Sequence, residues 1–291
     1  MIKLNRGGVD LIPQFFSFSG GERNVKIPGM SLGFNVKGPV NVIAHITSSD
    51  DVMDLLLLKD AMDNHGGMSD SPKNLFIPYL PYARQDRAMV TGEALSVRVM
   101  ANLINQMNFD AVHVYDPHSD VGPALIKNLR VTGVETQAVG LLVRNDHYTR
   151  IARQEEVMFC SPDAGALKKV SKLAANMGAK EMVIGIKHRD VSTGQITGTG
   201  FMGSDVKGRT VLMVDDIADG GATFIHLANA LKEAGAKTVL LYVTHGIFSK
   251  GLEVFDGIID AVYTPFPWKK YVEGHDPKGL IKTLDQTGYF G

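Results

Sequence analysis

A chain of 291 residues with 44% apolar content is long enough for two domains, can bury a core, and is no disordered tail. Lys and Arg total 30 against 31 Asp and Glu, which excludes the global charge excess that draws proteins to nucleic acid, membrane surfaces or polyanions, so any anion must be bound locally. The single cysteine, Cys160, excludes an intrachain disulfide, fits a reducing cytoplasm and is expected to be a small buried core residue.

The N-terminal stretch MIKLNRGGVDLIPQ has no apolar signal core, and no run approaches the roughly 18 apolar residues of a membrane span. A soluble cytoplasmic protein is the expectation. Along the chain, VNVIAHI (40–46) reads as a strand and is followed by a helix from about Asp51 to Gly66. NLFIPY (74–79) is the next strand, and after a polar loop a helix places Leu95, Val99, Leu103 and Met107 on one face with Met100 and Ile104 beside it. The strand DAVHVY (110–115) follows. A helix beginning at or soon after Asp163 turns Leu167, Val170, Leu173, Ala174 and Met177 inward, and the strands MVIGIK (182–187) and TVLMVD (210–215) come next. A helix from Thr223 to about Ala234, stopped by Gly235, leads into the strand TVLLYV (238–243). Strands alternating with helices predict an α/β fold with mainly parallel sheets flanked by helices. Two sets of such units, separated by the polar stretch 143–156, place a domain boundary near 135–145 and divide the chain into 1–140 and 141–291.

The hexapeptide GTGFMG (198–203) satisfies the dinucleotide pattern G-x-G-x-x-G, but it precedes a strand where the true fingerprint follows one, so it is read as a loop or hairpin. No Walker A sequence, H-E-x-x-H or Cys cluster occurs, which removes a P-loop kinase and a zinc site. The chemistry concentrates in VDDIADGGAT (214–223). Asp215 and Asp216 stand where open α/β sheets bind ligands and could accept hydrogen bonds from sugar hydroxyls or hold Mg²⁺ through water. Asp219, Gly220, Gly221, Ala222 and Thr223 then run into a helix N-terminus, whose unpaired N–H groups favour a phosphate. PYARQDR (81–87) offers Arg84 and Arg87 around Gln85 and Asp86, and guanidinium groups suit phosphates and the flat face of a base. DPHSD (116–120) offers Asp116 and His118 as metal or metal-phosphate ligands, SPDAGA (161–166) places Asp163 at a helix start, and IKHRD (186–190) carries Lys187 and Arg189. All five stretches fall at the C-terminal ends of strands, the one edge where a site could be assembled.

Together with FSGGE (18–22) and YVTHGIFS (242–249), these stretches, in this order, resemble the ribose-phosphate pyrophosphokinase (phosphoribosyl diphosphate synthetase) family. The resemblance covers nearly the whole chain. It implies two phosphoribosyltransferase-like domains, Mg²⁺, ATP as co-substrate, and transfer of the β,γ-diphosphoryl group of ATP to the anomeric hydroxyl of ribose 5-phosphate. By that likeness Arg84, Gln85 and Arg87 contact ATP, while Phe18 and Glu22 form the adenine-side loop of a neighbouring subunit, so a homo-oligomer is implied. His118 and Asp163, with Asp116, would hold the metal and its phosphates; Lys187 and Arg189 would form a catalytic flap, with His118 also in the catalytic set; and Asp215 to Thr223 would hold the ribose phosphate. The partners implied are small molecules, with no nucleic acid and no membrane.

Three departures from the family pattern stand out. Gly220 and Ala222 replace a Thr and a Gly of the ribose-phosphate loop, Gly20 replaces an Asp, and the strand and helix expected ahead of FSGGE are missing. The loss of a hydroxyl donor opens a second reading, the same transfer to ADP-ribose in NAD rebuilding. Two further readings are a non-catalytic regulatory relative and a plain phosphoribosyltransferase. Retention of His118, Asp163, Lys187 and Arg189 disfavours the former, and PYARQDR and the second domain disfavour the latter.

Overall fold

A computed structural model describes residues 2–28, 37–154, 156–189, 196–273, 276 and 279–284. The side chains of residues 154, 187–189 and 196–198 lie outside that description. The chain divides into two compact units, one built on Met1–Thr132 and one on Gly133–Gln286, and each has its own apolar core.

In the first unit, β1 (Ile2–Arg6) and β2 (Val9–Leu11) form an antiparallel hairpin. A second hairpin, β3 (Gln14–Ser17) and β4 (Arg23–Lys26), is a sheet of its own. Then come β5 (Val40–Ala44), α1 (Ser49–Asp63), β6 (Lys73–Ile77), α2 (Ser96–Gln106), β7 (Ala111–Tyr115), α3 (Val121–Leu125) and β8 (Leu129–Thr132). The sheet order is β2-β1-β5-β6-β7-β8, with β5 to β8 parallel and β1 antiparallel to β5. Where the sequence reading expected a missing strand and helix, the edge of the sheet is occupied by the β1–β2 hairpin, whose Ile2 and Leu4 join the core. Helix α1 starts where its cap chemistry dictates: Ser48 Oγ accepts from Asp51 N at 3.2 Å, and the Asp51 carboxylate accepts from Thr47 N at 2.8 Å. The Arg23 guanidinium clamps the Asp54 carboxylate through Nε and Nη2 and fastens the β3–β4 hairpin to α1.

Helix α2 corrects the face read from the sequence. Val97, Met100, Ala101 and Ile104 are buried, whereas Val99 is 54% exposed. Both stripes keep helical spacing, and the helix rotates so that the stripe carrying Met100 and Ile104 meets the sheet. Sequence spacing alone does not choose between two adjacent apolar stripes.

The second unit contains α4 (Val134–Leu142), α5 (Asp146–Gln154), β9 (Val157–Ser161), α6 (Leu167–Asn176), β10 (Met182–Arg189), β11 (Ile196–Gly203), β12 (Thr210–Ala218), α7 (Ala222–Glu233), β13 (Thr238–Gly246), β14 (Ala261–Thr264), β15 (Phe266–Pro267), α8 (Lys269–Val272) and β16 (Ile281–Thr283). The sheet order is β11-β10-β9-β12-β13-β14-β16. All pairings along it are parallel except β10 with β11. Strand β9 is buried at every position, as a central parallel strand covered on both faces should be. Its Cys160 is fully buried, and that burial pushes the thiol pKa up to about 12. GTGFMG lies inside β11, the returning arm of a hairpin with β10, so no strand-to-helix turn exists there for a dinucleotide.

Candidate active site

In each unit the parallel order gathers the candidate loops along one sheet edge. In the first unit β6 and β7 are neighbours, so the loop after Ile77, carrying Arg84, Gln85 and Arg87, meets the loop after Tyr115, carrying Asp116 and His118. A backbone bond from Tyr115 N to Pro78 O at 3.2 Å ties the two exits together. Asp86 is the joint between the loops. The Ser119 hydroxyl hydrogen-bonds it and holds its carboxyl below the usual range, against the pull of partial burial, with the Arg87 and His118 charges helping. Arg87 Nε lies 3.3 Å from Asp86 Oδ1, while the rest of its side chain stands in solvent. Arg84 and Gln85 are exposed as well, and so is His118. Asp116 is different: it is buried, with a φ of 39°, and its N–H donates to Thr132 O at 2.8 Å. It sits in the left-handed region that Asp tolerates better than most side chains. Phe18 and Glu22 bracket the turn of the β3–β4 hairpin, closed by Phe18 N to Glu22 O at 2.8 Å. Phe18 is 53% exposed and packs edge-on to Phe16, with ring centroids 5.4 Å apart.

In the second unit β9, β12 and β13 are adjacent, which aligns the loops carrying Asp163, Asp219 and Ser249. Asp163 Oδ1 accepts from Gly165 N at 3.0 Å and Ala166 N at 3.2 Å, so this oxygen caps the approach to α6. Asp215 and Asp216 lie within β12, which runs three residues further than the sequence reading placed it. Asp216 is buried and its N–H donates to Asp215 Oδ1 at 2.9 Å. Burial first, and then the adjacent Asp216 charge, raise the Asp215 carboxyl well above the ordinary range. Lys169 of α6 opposes this, with its Nζ 3.8 Å from Asp216 Oδ1.

The turn into α7 is built for a close approach. Gly221 has a φ of 79°, and a Cβ there would lie 2.8 Å from the Phe255 ring, so both backbone and space demand glycine. Helix α7 has no capping side chain, which leaves its first N–H groups facing outward. Ala222 is exposed at the first helical position, with Thr223 after it. Gly220 faces the stem of Lys250, and Asp219 accepts from Ser249 Oγ at 2.5 Å. A helix N-terminus beside two carboxylates can bind a phosphate on the backbone and sugar hydroxyls on the acids. The backbone of Lys187 and Arg189 lies in β10, paired with Thr199 and Ile196 of β11, and their side chains are among those outside the description.

Sequence reasoning named no role for Ser119, Lys169, Ser249 or Lys250. Ser119 and Ser249 lie inside stretches it quoted, but nothing local says which side chain turns toward the acids. Among the described residues no group of three or more His, Cys, Asp or Glu side chains forms a metal cluster. Within its own unit each candidate is a single donor, exposed His118 in the first and Asp163 in the second, and a lone imidazole or carboxylate suits a cation that keeps several waters and takes its other oxygens from substrate phosphates, as Mg²⁺ does.

A phosphate-ready turn at the end of a central parallel strand, following an acid pair, defines a phosphoribosyltransferase-type α/β unit, here preceded by a second α/β unit rich in exposed arginine. Known proteins agree. Residues 12–107 match the N-terminal domain of ribose phosphate pyrophosphokinase, and residues 135–263 match the phosphoribosyl transferase domain. A ribose-phosphate pyrophosphokinase of Campylobacter jejuni is 30% identical over 94% of this chain and 83% of that protein. One of Caulobacter vibrioides is 30% identical over 84% of this chain and 75% of that protein, and one of Pyrococcus abyssi is 30% identical over 69% and 66%. The chain belongs to the ribose-phosphate pyrophosphokinase family. Its fold is shared by a crystal structure of phosphoribosylpyrophosphate synthetase from Mycobacterium smegmatis, with a TM-score of 0.70 at 23% identity over 87% of this chain and 80% of the other.

Proposed function

We propose that this chain is an ATP-dependent diphosphokinase that makes phosphoribosyl diphosphate and AMP from ATP and ribose 5-phosphate. The observation that carries the reading is the Asp219–Ala222 turn into α7, directly after the Asp215–Asp216 pair, in a chain of this family. The anomeric hydroxyl oxygen attacks the β-phosphorus, the bond from that phosphorus to the oxygen bridging to the α-phosphate breaks, AMP leaves with the bond pair, and the hydroxyl proton passes to solvent. No covalent enzyme intermediate is needed, so the protein's task is alignment and charge neutralisation.

In this reading the turn and the α7 N–H groups hold the 5-phosphate, and Asp215 and Asp216 accept hydrogen bonds from ribose hydroxyls. Arg84, Gln85 and Arg87 bind the ATP phosphates and base, and exposed Phe18 with Glu22 meets the adenine of a neighbouring copy. His118 in the first unit and Asp163 in the second would each serve as a ligand to Mg²⁺ or to the phosphates it carries, and Mg²⁺ when bound would shield charge on the transferring phosphates. Lys187 and Arg189 would supply further positive charge. The named relatives favour ribose 5-phosphate over ADP-ribose as acceptor, and a catalytic role over a purely regulatory one. Among the described residues no helix is long and apolar enough to cross a membrane.

The test is AMP release with Mg²⁺ and ATP, run with ribose 5-phosphate and separately with ADP-ribose, and product mass determined. AMP with ribose 5-phosphate and a product heavier by one diphosphoryl group is the expected result. AMP with ADP-ribose alone would reassign the acceptor, and AMP with neither would remove the enzymatic reading.

A further inference from the structure

The loop after β13 lies over the turn between β12 and α7. Ile247 N and Phe248 N both donate to Ala218 O, at 2.8 and 3.1 Å, and Ser249 Oγ donates to Asp219 Oδ1. Phe248 is fully buried and holds a φ of 53°. These bonds fix where the next residue, Lys250, leaves the backbone. Its aliphatic stem crosses the face of Gly220: a Cβ on Gly220 would sit 3.4 Å from Lys250 Cε and 3.5 Å from Cδ. Lys250 is exposed, and its ammonium makes no ion pair with a described residue.

The turn underneath has no polar side chain of its own at Gly220, Gly221 or Ala222. It can present only backbone N–H groups, which position an anion but carry partial charges. Asp219 accepts from Ser249 but keeps its negative charge, which opposes an anion at the turn unless a cation offsets it. Lys250 is the cationic side chain that the structure places against that turn.

We infer that Lys250 is a specificity-determining residue whose ammonium binds the 5-phosphate of the acceptor over the Gly220–Ala222 turn. The inference rests on the reading of this turn as the ribose-phosphate site. Gly220 then has a reason beyond flexibility, because a larger side chain there would occupy the path of the Lys250 stem. An ammonium is a compact point charge with three donors, so it selects for the charge of the acceptor more than for a fixed oxygen geometry.

Steady-state AMP release at saturating Mg-ATP, with ribose 5-phosphate varied, tests this in Lys250→Gln, Lys250→Ala and Lys250→Arg. The expected result is a Km raised about tenfold in the Gln and Ala variants, the worth of one charge-assisted hydrogen bond in a wet site, with kcat nearly unchanged. Lys250→Arg should recover most of the loss, and added NaCl should raise the wild-type Km more steeply than that of Lys250→Gln. Km values and salt dependence equal to wild type in the Gln and Ala variants would overturn the inference. If wild type releases no AMP with ribose 5-phosphate, it is the proposed reaction with that acceptor that fails, and calorimetric titration of ribose 5-phosphate decides on Lys250. Weaker binding to Lys250→Gln than to wild type would still support it, whereas equal binding, or none to either, would refute it. The residue is exposed, so circular dichroism of the variants should match wild type.

Discussion

Lys169 Nζ stands 3.8 Å from Asp216 Oδ1, so a cation on α6 faces the acid pair of β12, and Asp216 is buried. Two adjacent carboxylates in partly desolvated surroundings repel one another, and Lys169 is the charge that offsets this. Replacing it by Met should lower stability by roughly 1 kcal/mol, and Lys169→Arg should keep most of that. Urea midpoints of the three proteins check it; an unchanged midpoint in Lys169→Met would mean that the pair is screened by water.

The raised Asp215 carboxyl gives a pH dependence of definite sign. A carboxyl whose folded-state pKa lies above its unfolded value binds its proton more tightly in the folded state, so ionising it costs stability as pH rises. Asp215→Asn should therefore raise the unfolding temperature at pH 8, and that advantage should shrink as pH falls through the raised pKa toward the ordinary carboxylate range. Thermal melts from pH 8 to pH 4 measure it. A constant difference across the range would show that Asp215 is not the titrating group.

Gly221 and Gly220 should respond differently to the same substitution. Gly221→Ala meets both a φ of 79° and the Phe255 ring at 2.8 Å, and should cost about 2 kcal/mol as well as weakening acceptor binding. In Gly220→Ala the new methyl meets only the flexible Lys250 stem at 3.4 Å, so stability should change by less than about 0.5 kcal/mol. Equal losses in the two variants would refute the geometric distinction.

Arg84 and Arg87 are exposed in the loop that Asp86 anchors, so Arg84→Ala and Arg87→Ala should leave stability within about 0.5 kcal/mol of wild type. On the proposed function they should raise the Km for ATP roughly tenfold or more. Kinetics with ATP varied, alongside thermal melts, separates binding from folding.

Cys160, fully buried with its thiol pushed up to about 12, should not react with a thiol reagent at pH 8 in the native protein and should react fully in denaturant. Rapid labelling without denaturant would mean that β9 opens locally.

The sequence by itself determined the alternation of strands and helices. Apolar runs such as TVLLYV and helical spacing such as Val170, Leu173 and Ala174 are local consequences of what each element must bury, and β13 and α6 formed over those residues. It also exposed VDDIADGGAT, because glycine beside acids at a strand end is a local pattern. It missed β9, whose VMFCS carries one β-branched residue where TVLLYV carries three, and it chose the wrong stripe of α2, because Val99 and Met100 are both apolar. Only tertiary structure decided which side chains complete the site. Lys169 reaches Asp216 from a helix 47 positions earlier, and Ser249 and Lys250 reach Asp219 and Gly220 from the loop about 30 positions later. Those contacts arise because β9, β12 and β13 are neighbours in a parallel sheet, and strand order is set by the packing of the whole unit, a long-range term that no window of sequence contains.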